Sequence, residues 1–205
     1  MYLPAHFEET RSEVLHALIR QHPLATLITE ADGAPVADEI PFILDAERGT
    51  LLAHIARSNP LWKKHPAERQ VLVIFRGPQA YVTPAWYPSK AEHGRVVPTW
   101  NYVVAQALGR LKVIDDPAWL KKQIGALTTA QEAERTAPWA VEDAPDDFIA
   151  QQLRAVVGLE IAIETLTGKW KASQNRSAGD RAGVLAGLSG EAVEQARQMA
   201  QMMQQ

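Results

Sequence analysis

The feature that most constrains the fold is a series of short apolar segments separated by turn signals. Two of them lie within residues 23–45 and are joined around Asp32-Gly33, a pair typical of a tight hairpin between strands. Further apolar segments follow in "GTLLAHIA", "RQVLVIFRGP" and "QAYVTP". Because consecutive strands joined by hairpins pair antiparallel, this series predicts an antiparallel sheet.

Two longer segments complete the predicted sheet. "TWNYVVAQALGRLKVID" has strand character from Thr99 to Ile114, and "VVGLEIAIETLTGKWK" reads as a final strand. The total is about seven strands, and six or so antiparallel strands of this length can close into a small barrel without exposed edges. We therefore expect a mainly β, antiparallel barrel with peripheral helices.

The helices are predicted from apolar stripes and from capping residues. Residues 7–21 place their apolar side chains on one stripe. "NPLWKKH" predicts a short helix that ends at His65, with Asn59 as N-cap, and Pro117 is expected to begin another. The paired carboxylates Asp115-Asp116 and Asp146-Asp147 precede helices and are interpreted as caps.

The C-terminal part is predicted to be helical. Residues 1–170 are expected to form the barrel domain, and residues 171–205 a basic segment and a helical hairpin split near Ser189-Gly190. The hairpin would pack on the barrel or on a dimer partner, within a single structural unit. A helix-turn-helix is the alternative, but Glu191 and Glu194 would open its recognition helix, and carboxylates there disfavour docking in the major groove.

Composition limits the classes of function. The chain has 205 residues, no Cys and a net charge of −3, which excludes disulfides and gives no general attraction for nucleic acid. The absence of Cys fits a reducing compartment. No basic and apolar leader begins the sequence, and no apolar run approaches the roughly 20 residues of a membrane helix. We expect a cytoplasmic globular protein that does not contact a membrane.

Several familiar sites are missing from the sequence. It contains neither G-x-G-x-x-G nor G-x-x-x-x-G-K-[ST], so a Rossmann or P-loop nucleotide site is not expected. No G-x-S-x-G nucleophile motif is present. The six histidines lack the spacing of metal ligands, so no metal site is predicted; they are His6, His16, His22, His54, His65 and His93.

Two segments carry candidate ligand-binding residues. In "HIARSNPLWKK" a strand ends, Arg57 and Ser58 follow, and a helix begins, which favours a bound phosphate; the alternative is an ordinary capped surface helix. The segment "GKWKASQNRSAGDR" contains four cationic residues and one acidic residue. Its local net charge of +3 suits an anionic or planar ligand. The alternative there is a solvated connector with Ser177 as a helix cap.

The segment "AWYPSKAEHGRVVPTWNY", residues 85–102, is too aromatic for a solvated loop. We interpret it as a long ordered loop, rigidified by Pro88 and Pro98, that leads into the strand beginning at Thr99. Four polar residues of this loop are candidates to line a pocket for a small-molecule ligand, namely Lys90, Glu92, His93 and Arg95.

Taken together, "MYLPAHFEE", "HIARSNP", residues 85–102 and "KWKASQNRSAGDRAGVLAGL" resemble the PaiB family of FMN-binding negative transcriptional regulators. The resemblance spans nearly the whole chain. It implies a split β-barrel that binds FMN, as a homodimer with the flavin at the subunit interface. A weaker resemblance links the chain to pyridoxamine-phosphate-oxidase-like flavoproteins, in which a strand-to-helix turn holds the FMN phosphate.

These resemblances imply a set of cofactor-binding residues. Arg57 matches the phosphate motif, whereas Ser58 stands where a Lys would be, so Lys63 or Lys64 is expected to supply the missing charge. Lys171 is the candidate to stabilise reduced flavin near its N1 atom. The full predicted set is His54, Ile55, Arg57, Ser58, Asn59, Lys63, Trp100, Asn101, Tyr102, Lys171 and Gln174.

Two functions remain open at this point. The family name implies a negative regulator of transcription that acts directly on DNA or indirectly. The net charge and the acidic last helix disfavour direct DNA binding. The alternative is an FMN-dependent oxidoreductase acting on a small molecule, which rests on analogy between folds.

Overall fold

The computed structural model of the chain describes residues 1–64 and 69–204. Among these residues eight strands form a single sheet. The strands are β1 (Glu8–Glu9), β2 (Leu24–Ala31), β3 (Ala34–Pro41), β4 (Ile43–Asp45), β5 (Thr50–Ala56), β6 (Gln70–Val82), β7 (Thr99–Ile114) and β8 (Val156–Lys171).

Seven α-helices and three short 3₁₀ helices accompany the described strands. The α-helices are α1 (Ser12–Gln21), α2 (Leu61–Lys64), α3 (Ser89–His93), α4 (Pro117–Glu132), α5 (Asp146–Arg154), α6 (Ala178–Gly190) and α7 (Glu194–Met202). The 3₁₀ helices cover Ala5–Phe7, Pro84–Trp86 and Val141–Asp143. No described helix has the length and apolar character that a bilayer-spanning helix requires.

The strand order is β3-β2-β6-β7-β8-β5-β4, and β1 pairs with β8 outside this path. The registers of β2 with β3 and β6, of β5 with β4 and β8, and of β1 with β8 are antiparallel. An antiparallel sheet with peripheral helices was predicted and is confirmed. The expected closure is wrong for the described strands, because their order is an open path from β3 to β4.

The β2–β3 hairpin turns at Asp32-Gly33, as predicted. Ala31 pairs with Ala34, and the two residues between them have φ values of 54° and 81°. Two positive φ values in a two-residue loop match the right-handed twist of the flanking strands, and Gly adopts them without strain.

The chain divides into two compact units. Unit A comprises residues 16–75 and 106–166, and unit B comprises residues 1–15, 76–105 and 167–205. Residue 205 lies outside the described residues. The predicted domain division at residue 170 stays a prediction.

The core of unit A is formed by the inner faces of its strands. Phe42 and Phe75 are buried and meet edge to face, with ring centroids 6.1 Å apart. Helix α4 begins at Pro117, as predicted, and Asp116 caps it by accepting a hydrogen bond from the Trp119 N–H at 2.9 Å. The Trp119 ring packs on Gly158 so closely that a Cβ there would lie 2.4 Å from a ring carbon.

The core of unit B includes the C-terminal helices. Helices α6 and α7 are separated after Gly190, which confirms the predicted hairpin, and Val184, Leu188 and Met199 are fully buried within it. The Ser177 hydroxyl caps α6 by accepting from the Asp180 N–H at 3.2 Å.

Three local predictions need correction. The first helix begins at Ser12 rather than residue 7, because a 3₁₀ turn and β1 occupy the residues before it. The described chain has eight strands rather than seven. The two-residue β1 is too short to show a pattern, residues 43–45 form the separate strand β4, and "RQVLVIFRGP" and "QAYVTP" lie along the single strand β6. The proline-bearing loop contains helix α3, which ends at Gly94 with φ 66°. His65, the predicted end of the short helix, lies outside the described residues.

Candidate functional site

The turn after β5 in unit A is fixed by hydrogen bonds from its own residues. The Asn59 N–H donates to the Ala56 carbonyl at 2.9 Å, and the Asn59 side chain accepts from the Leu61 N–H at 2.9 Å. The same side chain donates to Asp38 Oδ1 at 2.9 Å. Asn59 therefore caps the helix, as predicted. Because α2 has only four residues, few peptide dipoles align behind the cap, and the positive end of the helix is weak.

Arg57 ties this turn to neighbouring elements of unit A. Its Nε donates to the Arg154 carbonyl at 2.7 Å, and its Nη2 donates to the Val156 carbonyl at 3.0 Å. The guanidinium also donates to both carboxylate oxygens of Asp115, at 3.0 and 2.6 Å. These hydrogen bonds hold the pKa of Asp115 below its ordinary value. The guanidinium of Arg57, which the sequence predicts as a phosphate ligand, is thus already paired with a carboxylate.

A cavity of about 610 Å³ lies in unit A against this turn. Ligand pockets have volumes of about 300–1,000 Å³, so the cavity is large enough for a cofactor. It is lined by Thr29, Glu30, Ala31, Asp32, Val36, Asp38, Ala56, Ser58, Asn59, Pro60, Leu61 and Lys64.

The lining of this cavity fits parts of FMN unequally. Carboxylates such as Glu30 and Asp38 can accept hydrogen bonds from the hydroxyls of the ribityl chain. The phosphate is less well matched, because Lys64 is the only cationic residue among the described residues of the lining, and it pairs with Asp32 at 2.7 Å. The cavity therefore suits FMN in size and in its hydroxyl partners, and it leaves few free cations for the phosphate.

The remaining predicted residues of unit A have other partners. His54 Nδ1 lies 2.8 Å from Oε1 of Gln123, a buried side chain of α4. Ile55 is buried in the core, as expected for the opposite face of the strand from His54. The Lys63 ammonium lies 5.0 Å from the Trp62 ring centroid and is exposed.

The predicted residues of unit B surround the start of β7. Trp100 is half exposed, whereas Asn101 is fully buried and donates its side-chain N–H to the Ser173 hydroxyl at 2.9 Å. Gln174 folds back on its own turn, with contacts of 2.5 Å to the Trp170 carbonyl and 2.7 Å to the Ala172 N–H. Two of the predicted residues, Asn101 and Gln174, thus make hydrogen bonds within unit B.

Two lysines of β8 lie in the same unit. Lys171 Nζ donates to the Thr99 hydroxyl and to the Trp100 carbonyl, both at 2.5 Å. Burial lowers the pKa of Lys171, and the charges of Arg176 and Lys169 lower it further. The Lys169 ammonium lies 5.5 Å from the ring centroid of Tyr102, another predicted residue.

Three of the four polar loop residues line a cavity of unit B of about 380 Å³. Glu92, His93 and Arg95 line it together with Arg176, while Lys90 is not among its lining residues. The segment is attached to α6 by Asp180, which accepts from the Ser89 N–H and hydroxyl. Sequence reasoning missed this attachment, because Asp180 reads as an ordinary acidic residue of a first helical turn.

The eleven predicted residues fall into one group in each unit. The unit A group is His54, Ile55, Arg57, Ser58, Asn59 and Lys63; the unit B group is Trp100, Asn101, Tyr102, Lys171 and Gln174. Among the described residues, no group of three or more His, Cys, Asp or Glu side chains is arranged to hold a metal ion. The assignment of the eleven predicted residues to a cofactor stays a prediction.

The family described as "Putative FMN-binding domain" matches residues 1–165. The chain belongs to this family. Membership in the FMN-binding family supports the predicted flavin cofactor and the resemblance to the PaiB family. The chain is also similar to the "Protease synthase and sporulation protein PAI 2" of Bacillus subtilis. The two are 29% identical, over 100% of this chain and 97% of the relative.

Other proteins similar to this member of the FMN-binding family include an uncharacterized protein of Aspergillus fumigatus, 36% identical over 92% of this chain and 90% of its own. Among solved structures, the FAD and heme binding protein from Mycobacterium smegmatis has a TM-score of 0.61 and 24% identity, covering 80% of this chain and 73% of its own. The flavocytochrome Anf3 from Azotobacter vinelandii has a TM-score of 0.58 and 16% identity, covering 80% and 69%. The predicted fold class, a flavin-binding split β-barrel, is confirmed, with the sheet itself open.

Proposed function

We propose that this protein binds FMN through the turn after β5 and uses the bound flavin in the control of gene expression. The observation that carries the cofactor assignment is the cavity of about 610 Å³ that Ser58 and Asn59 line, in a chain of an FMN-binding family. When bound, FMN supplies electron or hydride transfer, while the protein positions it.

The residues of the turn have different proposed roles in binding FMN. Ser58 is exposed, and its hydroxyl is the proposed phosphate contact, with Lys63 or Lys64 as the nearby charge. Asn59 fixes the course of the turn through its bonds to Leu61 and Asp38. Arg57 is proposed as a positioning residue, since four of its donated hydrogen bonds go to unit A itself.

Titration with FMN and with riboflavin tests this assignment, because the two ligands differ only in the phosphate. We expect FMN to bind more tightly, and Ser58→Ala to weaken FMN about tenfold while leaving riboflavin unchanged, since a hydrogen bond to a charged group contributes about 1.5–3 kcal/mol. Ser189→Ala, an exposed serine of α6, is the control and should alter neither affinity. Equal affinities of the native protein for both ligands would contradict the phosphate site.

The residues of unit B are proposed to complete the flavin site in a homodimer. Trp100 presents its half-exposed ring, and Lys171 is held by Thr99 and by the Trp100 carbonyl. The start of β7, which carries Trp100, would be held in position by Asn101, Tyr102 and Gln174. Light scattering with and without FMN tests the dimer, and a crystal structure with FMN in which Trp100 lies beyond van der Waals distance of the flavin would remove it from the site.

The regulatory role is supported by the name of the Bacillus subtilis relative, which refers to protease synthesis and sporulation. Direct contact with DNA is disfavoured by the net charge of −3 and by the exposed carboxylates of Glu191 and Glu194. We therefore favour indirect regulation. A gel-shift assay with genomic fragments at physiological salt is expected to show no sequence-selective complex, and a selective one would establish direct binding to DNA and contradict indirect regulation.

A flavin-dependent oxidoreductase is the second candidate, and the placement of Lys171 favours it. An ammonium fixed by two acceptors can stabilise negative charge on reduced flavin. The test is reduction of the FMN-loaded protein by NAD(P)H, followed by reoxidation with a panel of metabolites under anaerobic conditions. Reoxidation rates equal to those of free FMN would exclude this function.

A further inference from the structure

Unit B contains a cavity of about 530 Å³ that the proposed flavin chemistry does not explain. Three aromatic side chains line it, and Trp100 alone belongs to the predicted flavin set. The other lining residues include Thr83, Glu191 and Val193. Its volume is within the range of about 300–1,000 Å³ found for small-molecule sites.

The aromatic walls are held in place by their surroundings. The Tyr81 and Trp100 rings meet edge to face with centroids 6.0 Å apart and an interplanar angle of 66°, and each residue is about half exposed, at 49%. The Trp86 ring packs against α6, where a Cβ on Gly187 would lie 2.3 Å from ring carbon Cδ2. The walls therefore exist before any ligand binds.

The cavity carries one negative charge. Among its lining residues Glu191 is the one charged side chain, and its carboxylate has no hydrogen-bond or ion-pair partner within residues 1–64 and 69–204. Arg197 donates to the Glu191 main-chain oxygen at 2.9 Å, but its guanidinium pairs with the Glu194 carboxylate.

This combination selects for a cation. The faces of aromatic rings are negative and attract an ammonium group within about 6 Å, most strongly where water is excluded. A carboxylate without a partner adds to that attraction, and none of the described residues that line the cavity has a basic side chain to oppose it. The walls offer apolar and aromatic surface rather than several acceptors, which suits an alkylated ammonium with few N–H groups.

We propose that the cavity formed by Tyr81, Trp86, Trp100 and Glu191 binds an organic cation of the quaternary ammonium class. The rings contact the alkyl groups around the nitrogen, and Glu191 supplies the compensating charge. The site lies within unit B, so it is present in each copy of the chain.

Calorimetric titration of the full chain with choline, compared with its uncharged carbon isostere 3,3-dimethyl-1-butanol, tests the proposal. We expect choline to bind about tenfold more tightly, because cation–π contacts contribute about 0.5–2 kcal/mol and a tenfold change, about 1.4 kcal/mol, lies within this range. Glu191→Gln should weaken choline several-fold, and Tyr81→Leu should do the same. Glu194→Gln, which removes a carboxylate outside the cavity, is the matched control and should not.

Circular dichroism verifies that each variant is folded. We expect folding to be retained, because Tyr81, Glu191 and Glu194 are all exposed. Equal affinity for choline and its isostere, no binding of either, or equal effects of Glu191→Gln and Glu194→Gln would each overturn the proposal. These titrations contain no FMN, so their outcomes do not depend on the flavin assignment, and the two proposals fail separately.

Discussion

The Asp180 carboxylate accepts two hydrogen bonds from Ser89, one from its main-chain N–H at 3.1 Å and one from its hydroxyl at 2.8 Å. Asp180 lies in the first turn of α6, and Ser89 begins α3 in the segment that follows β6. Because the carboxylate is buried, with 7% of Asp180 exposed, these bonds attach the segment to the helix at a defined place.

This pair predicts a dependence of stability on pH. Burial opposes ionisation of Asp180, but the hydrogen bonds from Ser89 and Ser177 outweigh it, and the pKa of Asp180 lies below its ordinary value. The resulting stabilisation is complete above the ordinary aspartate pKa of about 3.9 and is lost as the pH falls through the folded-state pKa. Thermal unfolding of the native protein and of Asp180→Asn between pH 2 and 7 should show Tm values that differ at neutral pH and converge in acid. A constant difference would contradict the assignment.

The contact between Trp86 and Gly187 predicts a strong effect of a single methyl group. A Cβ at position 187 would lie 2.3 Å from the indole ring, so Gly187→Ala must displace Trp86 or the helix. Overpacking of this kind costs about 1–3 kcal/mol, which denaturant unfolding can measure. Gly179→Ala on the same helix is the control, since a Cβ there meets nothing within 4 Å. It should be neutral or slightly stabilising, and equal losses at both positions would refute the argument.

Arg57 is expected to act on the turn rather than on the phosphate. Its guanidinium bonds to Asp115 and to the Arg154 and Val156 carbonyls, so Arg57→Ala should loosen the turn and weaken FMN and riboflavin by the same factor. Fluorescence titration with both ligands decides the question through the ratio of the two dissociation constants. A loss confined to FMN would show instead that Arg57 leaves Asp115 to contact the phosphate.

The hydrogen bond between His54 and Gln123 predicts a non-additive pair. His54→Leu leaves Oε1 of the buried Gln123 without its donor, and an unsatisfied buried acceptor costs about 1–3 kcal/mol. The double variant His54→Leu/Gln123→Leu should recover part of this loss, because both polar groups are then removed. Urea unfolding of the two single variants and the double variant gives the coupling energy. Additive losses would mean that the two side chains do not interact.

Features encoded by neighbouring residues were predictable from the sequence. The hairpin at Asp32-Gly33, the N-cap at Asn59 and the helix beginning at Pro117 all depend on the conformational preferences of a few adjacent residues. The order of apolar segments likewise predicts antiparallel pairing of neighbours such as β2 with β3 and β4 with β5. The pairings of β2 with β6 and of β5 with β8 join strands that are distant in sequence, and no local pattern predicts them.

Partners distant in sequence were not predictable. Arg57 and Asp115 are separated by 58 positions, and Asp115 was interpreted as a helix cap together with its neighbour Asp116, which alone fills that role. Asn101 donates a hydrogen bond to Ser173, 72 positions away, and its predicted contact with the flavin stays a prediction. A single sequence gives no pattern for such pairs, since their side chains meet only once the strands are in register.

The packing of Trp86 on α6 has a consequence for how this chain can vary. Gly183 and Gly187 lie four residues apart on one face of the helix, and a Cβ at Gly183 would lie 2.0 Å from the Trp86 carbonyl oxygen. Glycine at these two positions is therefore a requirement set by another part of the chain. A related sequence that has a small residue in place of Trp86 should be free to carry alanine or serine at position 187, so the two sites are expected to change together during evolution.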